Sequence, residues 1–468
     1  MEPRCEQFLN TSRKALQDPH LQEALRSIDA NLRSMRNAAF QELPNAEELR
    51  EQARIIRDHT LEHLDRYLEQ LEDRVMQLGG TVHWAEDAAA ARRIVERLAA
   101  DRGVRTVVKG KSMVSEEIGL NEGLVARGVE VVETDLGEYI IQLACEPPSH
   151  IVGPAIHKTK DQIARLFCEA LDAPLMEDPK KMALFARRKL RERFLSADMG
   201  VTGANFLVAS SGALVLLENE GNIRMSTTLP RIHVAVTGIE KVVPTWEDLS
   251  VLLKLLPRSA TGQKLSSYVS LFLGPRRPGE PDGADEFHLV LVDNGRSRIL
   301  ADKAFRESLR CIRCGACLNT CPVYLKIGGH AYGWVYSGPV GSILTPQLLK
   351  DRRCTSTLPF ASTLCGACAD VCPVKIDIPR ILAELRSRFA EDPEWGPAPL
   401  SEHGLFRLAG TVLSDRLLYE GAGSIARTLY PLIRRTGPAD TFPPPASRPF
   451  RRSHKQKSRK GRKDAHRG

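Results

Sequence analysis

The sequence predicts a helical N-terminal region, a parallel α/β domain and then a mainly α-helical, cysteine-rich domain. Short strand-like segments alternate with helical ones from about residue 79 to residue 300. Eight of the 11 cysteines lie between Cys311 and Cys372, where strand signals are few. A chain of 468 residues is too long for one compact core, so several domains are expected. We predict these divisions: a helical region at 1–78, the α/β domain at 79–300, the cysteine-rich domain at 301–395, a C-terminal segment at 396–447 and a basic tail at 448–468.

The helical region is predicted from apolar residues that recur at helical spacing between about residues 20 and 78. Pro44 and Asn45 separate two long stretches of this pattern, and Gly79 and Gly80 end the second. Two long helices are therefore expected before the first strand.

The α/β domain is predicted from the strand-like segments GTVHWA, VRTVVKG and VEVVET, which are joined by helical segments. Strand–helix–strand repeats of this length imply a parallel, doubly wound sheet. The segment GALVLLENEGNIRMSTTLPRIHVAVTG is predicted to form strands joined by a Glu-Gly-Asn turn. A hairpin there would make the sheet mixed.

The net charge of +8 arises from the end of the chain. Residues 448–468 contain ten Lys or Arg and one acid, Asp464, so the remaining 447 residues sum to about −1. A segment with so few apolar residues is predicted to be a disordered tail, and docking of it to an acidic partner, anionic lipid or RNA is the alternative. Nucleic acid is not the expected partner of the folded part.

The chain contains no apolar stretch long enough for a transmembrane segment. Its first residues, MEPRCEQFLN, lack the apolar region of a secretory signal. We therefore expect a cytoplasmic protein, with peripheral attachment to the inner face of the membrane as an alternative.

Two related motifs contain most of the clustered cysteines: CIRCGACLNTCP at 311–322 and STLCGACADVCP at 362–373. The spacing C-x2-C-x2-C-x3-C-P is typical of bacterial ferredoxins, in which three cysteines of one motif bind one [4Fe–4S] cluster and the fourth binds the other. Zinc sites instead favour CxxC pairs separated by longer loops. Without an export signal, clustered cysteines indicate metal ligation rather than disulfides. The motifs predict two [4Fe–4S] clusters.

This crossover rule assigns the ligands of each cluster. Those of cluster 1 are Cys311, Cys314, Cys317 and Cys372, and those of cluster 2 are Cys321, Cys365 and Cys368. Ser362 stands where a fourth cysteine would complete the second motif, so cluster 2 lacks one thiolate. The candidates for its missing ligand are Cys354, the Ser362 oxygen and a ligand from outside the chain; alternatively, Cys354 is a free thiol.

Five arginines near the motifs are candidates for offsetting the charge of the clusters, although they would also suit a solvated face: Arg306, Arg310, Arg313, Arg352 and Arg353.

In the α/β domain, KGKS follows a strand and precedes a helix, which is where anions bind. Lys109, Lys111 and Ser112 are therefore candidate anion ligands, with a plain strand–helix turn as the alternative. The segment is not a P-loop, because that motif requires glycine where Arg105 stands.

The remaining candidates of this domain have weaker support. Glu218 and Glu220 are candidate nucleophiles, and a polar hairpin turn is the favoured alternative. His150 and His157 are interpreted as ordinary polar neighbours rather than ligands. We find no flavin or dinucleotide motif to accept two electrons in this chain.

Four segments together resemble the lactate utilization protein B family: KGKSMVSEEIGLN, CIRCGACLNTCPVY, YGWVYSGPVGSILTPQLL and LPFASTLCGACADVCPVKIDIP. The resemblance covers about residues 70–400. It implies a LUD domain, similar in fold to phosphosugar isomerases and CoA transferases, followed by an α-helical ferredoxin domain with two [4Fe–4S] clusters. It also implies two partners, a cysteine-rich heterodisulfide-reductase-like subunit and a second LUD-domain subunit, in a complex that oxidises L-lactate to pyruvate.

The expected role is that of the iron–sulfur electron-transfer subunit, which passes electrons from lactate towards a respiratory-chain acceptor and so supports growth on lactate. Enzymatic activity, as an L-lactate dehydrogenase or oxidase, is then expected of the complex. The alternative is that the LUD domain is itself catalytic on a CoA ester or sugar phosphate, with clusters that serve only the structure.

Overall fold

The structure is a computed structural model that describes residues 2–392, 395, 400–436 and 446. The chain divides into two compact units, residues 1–396 and residues 397–468. The first unit contains the sheets and both cysteine motifs, and the described residues of the second form two helices.

Four helices precede the first strand: α1 (Phe8–Gln17), α2 (Pro19–Gln41), α3 (Ala46–Glu62) and α4 (Leu64–Gln77). Asp18 begins α2, because its carboxylate accepts hydrogen bonds from the N–H groups of His20 and Leu21. The predicted break at Pro44 and Asn45 is confirmed. The second predicted helix is two helices, since His63 leaves the helical backbone region (φ −117°, ψ 33°).

Ten strands follow: β1 (Thr81–Ala85), β2 (Thr106–Lys109), β3 (Glu130–Glu133), β4 (Met199–Thr202), β5 (Phe206–Val208), β6 (Ala213–Glu218), β7 (Ile232–Gly238), β8 (Val242–Val243), β9 (Tyr268–Phe272) and β10 (Glu286–Val292). The helices of this region are α5 (Ala88–Asp101), α6 (Met113–Glu117), α7 (Leu120–Ala126), α8 (Leu136–Leu143), α9 (Lys160–Leu171), α10 (Pro179–Ser196), α11 (Asn222–Thr228), α12 (Trp246–Thr261) and α13 (Arg296–Ala301).

Six strands form one sheet in the order β1-β10-β7-β4-β2-β3, and every pair in it is parallel. Helices cover both faces of the sheet. Successive side chains of β10 point to opposite faces, and apolar side chains on both faces need such a cover. Val290 and Val292 pack with α5 and α7 on one face, whereas Leu289 and Leu291 pack with α4 on the other. The predicted parallel, doubly wound sheet is confirmed.

The other four strands form a second, mixed sheet in the order β8-β5-β6-β9. The predicted hairpin between residues 213 and 238 is wrong, because β6 and β7 belong to different sheets and α11 lies between them. Gly221, at φ 77°, begins α11, and the Glu218 carboxylate accepts hydrogen bonds from the N–H groups of Ile223 and Arg224.

The cysteine-rich segment contains six helices: α14 (Ala316–Asn319), α15 (Tyr324–Ile327), α16 (Gly338–Leu349), α17 (Arg352–Thr355), α18 (Ala367–Asp370) and α19 (Ile378–Glu391). Between residues 301 and 392 the structure describes no strand. The residues after the second motif form α19, whereas those before the first motif form a 3-10 helix, Arg306–Arg310. One hydrophobic core joins this segment to the N-terminal helices, through Leu25 of α2, Leu49 of α3 and Leu382 of α19.

The second unit contains α20 (Leu400–Ser414) and α21 (Arg416–Thr436). The predicted basic tail, 448–468, lies outside the described residues. No helix in the described part of the chain is both long enough and apolar enough to cross a membrane.

Candidate functional site

The two cysteine motifs form turns with the same backbone conformation. Arg313 and Gly315 of the first turn have left-handed φ angles of 60° and 76°. Leu364 and Gly366, at the equivalent positions of the second turn, have φ angles of 55° and 86°. The left-handed region is unfavourable for residues with a Cβ atom, so its recurrence at both turns indicates a shared structural requirement. The second motif is thus a structural repeat of the first, with Ser362 in place of one cysteine.

Ser362 also reproduces the hydrogen bond of the cysteine that it replaces. The backbone N–H of Arg313 donates to Cys311 Sγ over 3.4 Å. The backbone N–H of Leu364 donates to Ser362 Oγ over 3.1 Å. The serine oxygen and the cysteine sulfur therefore occupy the same place relative to their turns.

The motif thiols interact electrostatically within two groups. The first group comprises Cys311, Cys314, Cys317 and Cys372, and the second comprises Cys321, Cys365 and Cys368. Burial, followed by the neighbouring thiols of the group, raises the pKa of Cys314 to about 12 and that of Cys372 to about 11. Cys317 also interacts with Cys368, so the two groups adjoin. These are the sets that the crossover rule predicts; their binding of iron stays a prediction.

Cys365 is the one exposed thiol of the two motifs. Cys314 and Cys372 of the first group are 8% and 7% exposed. Cys365 of the second group is exposed, as is its neighbour Leu364, and Phe360 nearby in the chain is 61% exposed. The second turn therefore reaches the protein surface at Cys365, whereas Cys321 and Cys368 of the same group are as buried as Cys314 and Cys372.

Backbone N–H groups also point at cysteine sulfurs outside the turns. Tyr324 N–H donates to Cys321 Sγ over 3.5 Å, and Ile376 N–H donates to Cys372 Sγ over 3.4 Å. Such donors stabilise negatively charged sulfur and tune iron–sulfur clusters. No three His, Cys, Asp or Glu side chains in the described part of the chain converge on a single metal ion. In a [4Fe–4S] cubane each thiolate binds a different iron, so the thiols of one cluster do not converge on a single ion. The residues present therefore fit an iron–sulfur cluster.

Cys354, a candidate ligand of cluster 2, has another thiol as its partner. It lies in α17, is buried, and shares a hydrogen bond with Cys5 near the N-terminus. That hydrogen bond is the largest cause of the raised pKa of Cys5 and of the lowered pKa of Cys354. Ligation of iron by Cys354 stays a prediction, and it would require this thiol pair to separate.

Of the five arginines predicted near the clusters, Arg313 lies at the cysteines and packs over the ring of Tyr336, 4.8 Å from its centroid. The other four are exposed or bonded to groups other than the cysteines: Arg306, Arg310, Arg352 and Arg353.

Two cations near the second motif were missed by the sequence analysis. Arg36 of α2 donates to the carbonyl of Val371 over 2.9 Å, and Arg50 of α3 donates to the carbonyl of Cys372 over the same distance. Both arginines lie more than 300 residues before the groups that they contact. No local pattern in the sequence signals such a contact.

The candidate anion ligands of KGKS are separated by the fold. Lys109 is fully buried and forms ion pairs with Glu116 (2.9 Å) and Glu133 (2.8 Å), so its charge is already balanced. Lys111 and Ser112 instead line a cavity of about 430 Å³.

This cavity, the edge cavity, lies at the carboxyl ends of the parallel strands β2, β3, β4 and β7. Residues from the loops after these strands line it, including Lys111, Asp135, Gly203 and Lys241. Ligands of parallel α/β folds commonly bind at this edge of the sheet. Arg313 of the first cysteine motif also lines the cavity, so the cavity adjoins the first thiol group.

Glu218 and Glu220 line the edge cavity as well. Glu218 holds the start of α11 through two hydrogen bonds, an arrangement that disfavours it as a nucleophile. Burial, and then the charge of Asp135, raise the pKa of Glu220 to about 6. The predicted interpretation of this segment as a hairpin turn is wrong, since it connects a strand to a helix.

His150 and His157 each have a polar partner within the protein. His150 is buried, with Nε2 3.0 Å from Asn319 Oδ1 of the first cysteine motif. His157 Nε2 lies 2.7 Å from Glu146 Oε2.

A buried ionic network joins the large sheet to the cysteine-rich segment. Arg296 of α13 donates to both oxygens of Glu117 over 2.8 Å and to Glu240 over 2.6 Å. From the cysteine-rich segment, Tyr336 donates to Glu117 over 2.6 Å and Arg313 donates to Glu240 over 3.3 Å. Each carboxylate is thus shared by the two parts of the first unit.

Two family models match the chain. The model described as the LUD domain matches residues 68–292, and the model described as the 4Fe-4S dicluster domain matches residues 307–376. The chain therefore contains an α/β domain of the LUD type followed by an iron–sulfur domain of the dicluster type.

Several curated proteins are similar over most of their length. Lactate utilization protein B of Shouchella clausii is 44% identical over 98% of this chain and 98% of its own. The protein of that name from Anoxybacillus flavithermus is 47% identical, over 90% of this chain and 89% of its own. The uncharacterized electron transport protein YkgF of Escherichia coli K12 is 48% identical, over 82% of this chain and 80% of its own.

Proposed function

Because the chain belongs to the lactate utilization protein B family, we propose that it is the iron–sulfur electron-transfer subunit of a complex that oxidises L-lactate to pyruvate. In a cell, this complex would allow growth on lactate as a source of carbon and energy. The names of the relatives support both the substrate and the role in electron transport. The observation that carries the proposal is the pair of adjoining thiol groups on repeated turns, of which the second turn reaches the surface at Cys365.

We assign two [4Fe–4S] clusters to a dicluster domain at 301–395, which follows a LUD domain at 79–300. The protein ligands are Cys311, Cys314, Cys317 and Cys372 for cluster 1, and Cys321, Cys365 and Cys368 for cluster 2. The thiol groups and their N–H donors support this assignment. For the remaining iron of cluster 2, Ser362 stands in the structural position of a ligand, whereas the Cys354 thiol shares a hydrogen bond with the Cys5 thiol.

Bound [4Fe–4S] clusters accept and release electrons one at a time. Conversion of lactate to pyruvate releases two electrons and two protons, so a partner subunit takes up the pair before single electrons reach this chain. The residues of this chain stabilise negative charge at the sulfurs, through N–H donors and through Arg313. The surrounding apolar core lowers access of water to the buried thiols of both groups, Cys314 and Cys372 in the first and Cys321 and Cys368 in the second.

The proposed partners are a cysteine-rich heterodisulfide-reductase-like subunit and a second LUD-domain subunit, with a respiratory-chain acceptor beyond them. Electron exchange falls off steeply with distance, so it requires a centre close to the surface. The exposed second turn, with Cys365, Leu364 and Phe360, is the part of the cysteine-rich domain that offers this access. We propose that a partner docks there.

Anaerobic purification followed by iron and sulfide analysis tests the two-cluster assignment. We expect about eight irons and eight sulfides per chain, or about seven irons if the incompletely ligated site has lost one. A content of about four irons or fewer, or zinc in place of iron, would contradict it.

Electron paramagnetic resonance of the anaerobic protein tests the electron-transfer role. We expect L-lactate to reduce the clusters only when the two partner subunits are present. Reduction by lactate of this chain alone would make it the lactate-oxidising enzyme instead. If lactate causes no reduction in the complete complex, the proposed role is wrong.

A further inference from the structure

The edge cavity contains polar groups that have no partner within the protein. Lys241 is 6% exposed, and its ammonium has no hydrogen bond or ion pair to any described residue. Thr237 is 1% exposed, and its hydroxyl is likewise unpaired among the described residues. Arg313 Nη1 is a third buried polar atom without a hydrogen bond in that part of the chain. All three residues line the cavity.

Unpaired groups of this kind are unfavourable in a folded protein. A buried ammonium or guanidinium N–H that gives up water without gaining an acceptor costs free energy, and so does a buried hydroxyl. Lysines are seldom buried unless they are paired. An acceptor that enters the cavity would form hydrogen bonds with these donors and lower the free energy. An anion would lower it most, because it also balances the positive charge.

The carboxylate of the adjacent residue is not that acceptor. Glu240 precedes Lys241 in the chain, but its two oxygens are already bonded to Arg296 and Arg313. Lys111, the other lysine of the cavity, donates to the carbonyl of Val152 over 2.8 Å. The unpaired donors of Lys241, Thr237 and Arg313 therefore lie at one end of the cavity, where burial and then the charge of Arg313 lower the pKa of Lys241 to about 7.

The other charged groups of the cavity are acids. Asp135, Glu218 and Glu220 line the same space. Ionised carboxylates only accept hydrogen bonds, so they repel a bare anion and favour a ligand that brings an O–H or N–H donor. The ligand that suits both ends has an anionic group and a donor group on one small carbon skeleton.

We propose that the edge cavity binds a small organic carboxylate that bears a hydroxyl or ammonium group. Lys241 Nζ, Thr237 Oγ1 and Arg313 Nη1 hold the carboxylate, and the donor group faces the acids around Glu220. The site combines residues of the LUD domain with a residue of the first cysteine motif. Since the backbone of Arg313 bonds Cys311, a bound carboxylate lies close to the first thiol group. The binding site does not depend on the proposed electron-transfer role, because neither partner subunits nor lactate oxidation enter the argument.

Isothermal titration calorimetry of the anaerobic, iron-loaded full chain tests the proposal without partner subunits. The probes are L-lactate, L-alanine and propionate, which share one skeleton and carry a hydroxyl, an ammonium or neither group. We expect L-lactate or L-alanine to bind saturably and at least about tenfold more tightly than propionate, and the better probe identifies the donor group. Inorganic phosphate serves as the anion without a carbon skeleton and should bind no better than propionate.

Three variants locate the binding. Lys241→Met should weaken binding of the better probe by at least about tenfold, whereas Lys254→Met, on the exposed side of α12, should leave it unchanged. Thr237→Val keeps the shape of the side chain and removes only the hydroxyl. It therefore tests the location of the binding site if Lys241→Met loses iron. We expect it to weaken binding about threefold or more.

Three results would overturn the proposal. One is that no probe binds at concentrations up to about 10 mM, above the common range of Michaelis constants; Lys241 would then serve only to balance the charge near Cys311. Another is that propionate or phosphate binds as tightly as L-lactate and L-alanine. The last is that Lys241→Met or Thr237→Val, with its iron retained, binds the better probe as the parent protein does.

Discussion

Ser362 and Cys311 occupy the same place in equivalent turns, and one has oxygen where the other has sulfur. Each accepts a hydrogen bond from the backbone N–H two residues later. Soft thiolates are the preferred ligands of iron–sulfur clusters, whereas a serine hydroxyl is harder and far less acidic. The iron next to Ser362 should therefore be the least firmly bound of the proposed eight.

Ser362→Cys should make that iron more secure, because the substitution places a thiolate where the turn already positions a ligand. We expect the variant to keep about eight irons per chain during an air exposure in which the parent protein falls to about seven. Iron analysis and the paramagnetic signal of a three-iron cluster report the difference. Ser250→Cys, which adds an exposed cysteine on α12, controls for iron held by a new thiol elsewhere. Equal loss from Ser362→Cys and from the parent would show that position 362 does not face the labile iron.

Cys354→Ser should leave the iron content unchanged, because the Cys354 thiol is engaged by Cys5 rather than directed to the second thiol group. Cys368→Ser is the matched comparison, and it should lose about half of the iron. Both variants are measured by iron and sulfide analysis after anaerobic purification. If Cys354→Ser loses as much iron as Cys368→Ser, then Cys354 is the missing ligand.

The cysteines could be predicted from the sequence because their spacing is set within a dozen residues, as is the backbone of the turns that present them. Lys241 could not be found in this way. It follows β7 in a 3-10 helix, Ile239–Lys241, with no motif around it, and only the tertiary structure brings it to Arg313 and the edge cavity. The same holds for Arg36 and Arg50, whose contacts join distant parts of the chain.

Among the structural elements, the second cysteine turn is distinguished by its exposure. Leu364, at its apex, is 39% exposed although it is apolar and has a left-handed backbone. Exposed apolar residues beside a redox centre suit a transient contact with another protein.

Leu364→Glu should slow electron exchange with the partner subunits by about tenfold, which corresponds to about 1.4 kcal/mol of docking free energy. Its iron content should equal that of the parent, because the side chain is not a proposed ligand. Leu195→Glu, at a leucine of α10 that is 63% exposed, should not change the rate. The rate of lactate-dependent cluster reduction in the reconstituted complex measures the effect. If Leu364→Glu reduces the clusters as fast as Leu195→Glu does, the docking surface lies elsewhere.

Secondary structure can be predicted from the sequence where apolar residues keep one period, helical or strand-like, through a whole segment. β1, β2 and β3 are short apolar runs between amphipathic helices, and all three were found. The segment from 213 to 238 was misread because both of its ends are strand-like. The decisive interaction, between the Glu218 carboxylate and the first N–H groups of α11, is a helix cap that resembles a polar turn in the sequence. His63 interrupts a helical pattern that shows no break in sequence.

At the scale of the whole molecule, the ionic network of Arg296, Glu117 and Glu240 connects the LUD domain with the cysteine-rich domain. Both carboxylates are buried, and the neighbouring arginines hold the pKa of Glu240 at about 2 despite its burial. The two domains are therefore expected to unfold together rather than one at a time.

Arg296→Met should lower the free energy of unfolding by about 3–5 kcal/mol, because it leaves two buried carboxylates without their shared cation. Arg102→Met is the control, since its ion pair with Glu286 is about one third exposed on each side and should contribute no more than about 1 kcal/mol. Anaerobic denaturant titrations followed by circular dichroism measure both. A loss below about 1 kcal/mol in Arg296→Met would mean that the network contributes little to stability.

The contacts of α2 and α3 with the last cysteines have a consequence for synthesis of the protein. Arg50 and the Cys372 carbonyl that it binds are 322 residues apart, and Leu25 and Leu49 share a core with Leu382. A ribosome that adds about 5–20 residues per second needs tens of seconds to make the intervening chain. During that time the apolar faces of these two helices have emerged without the surface that they will cover. The nascent chain therefore exposes apolar surface from its first helices onward, and we expect it to enclose its metal centres only when translation is nearly finished.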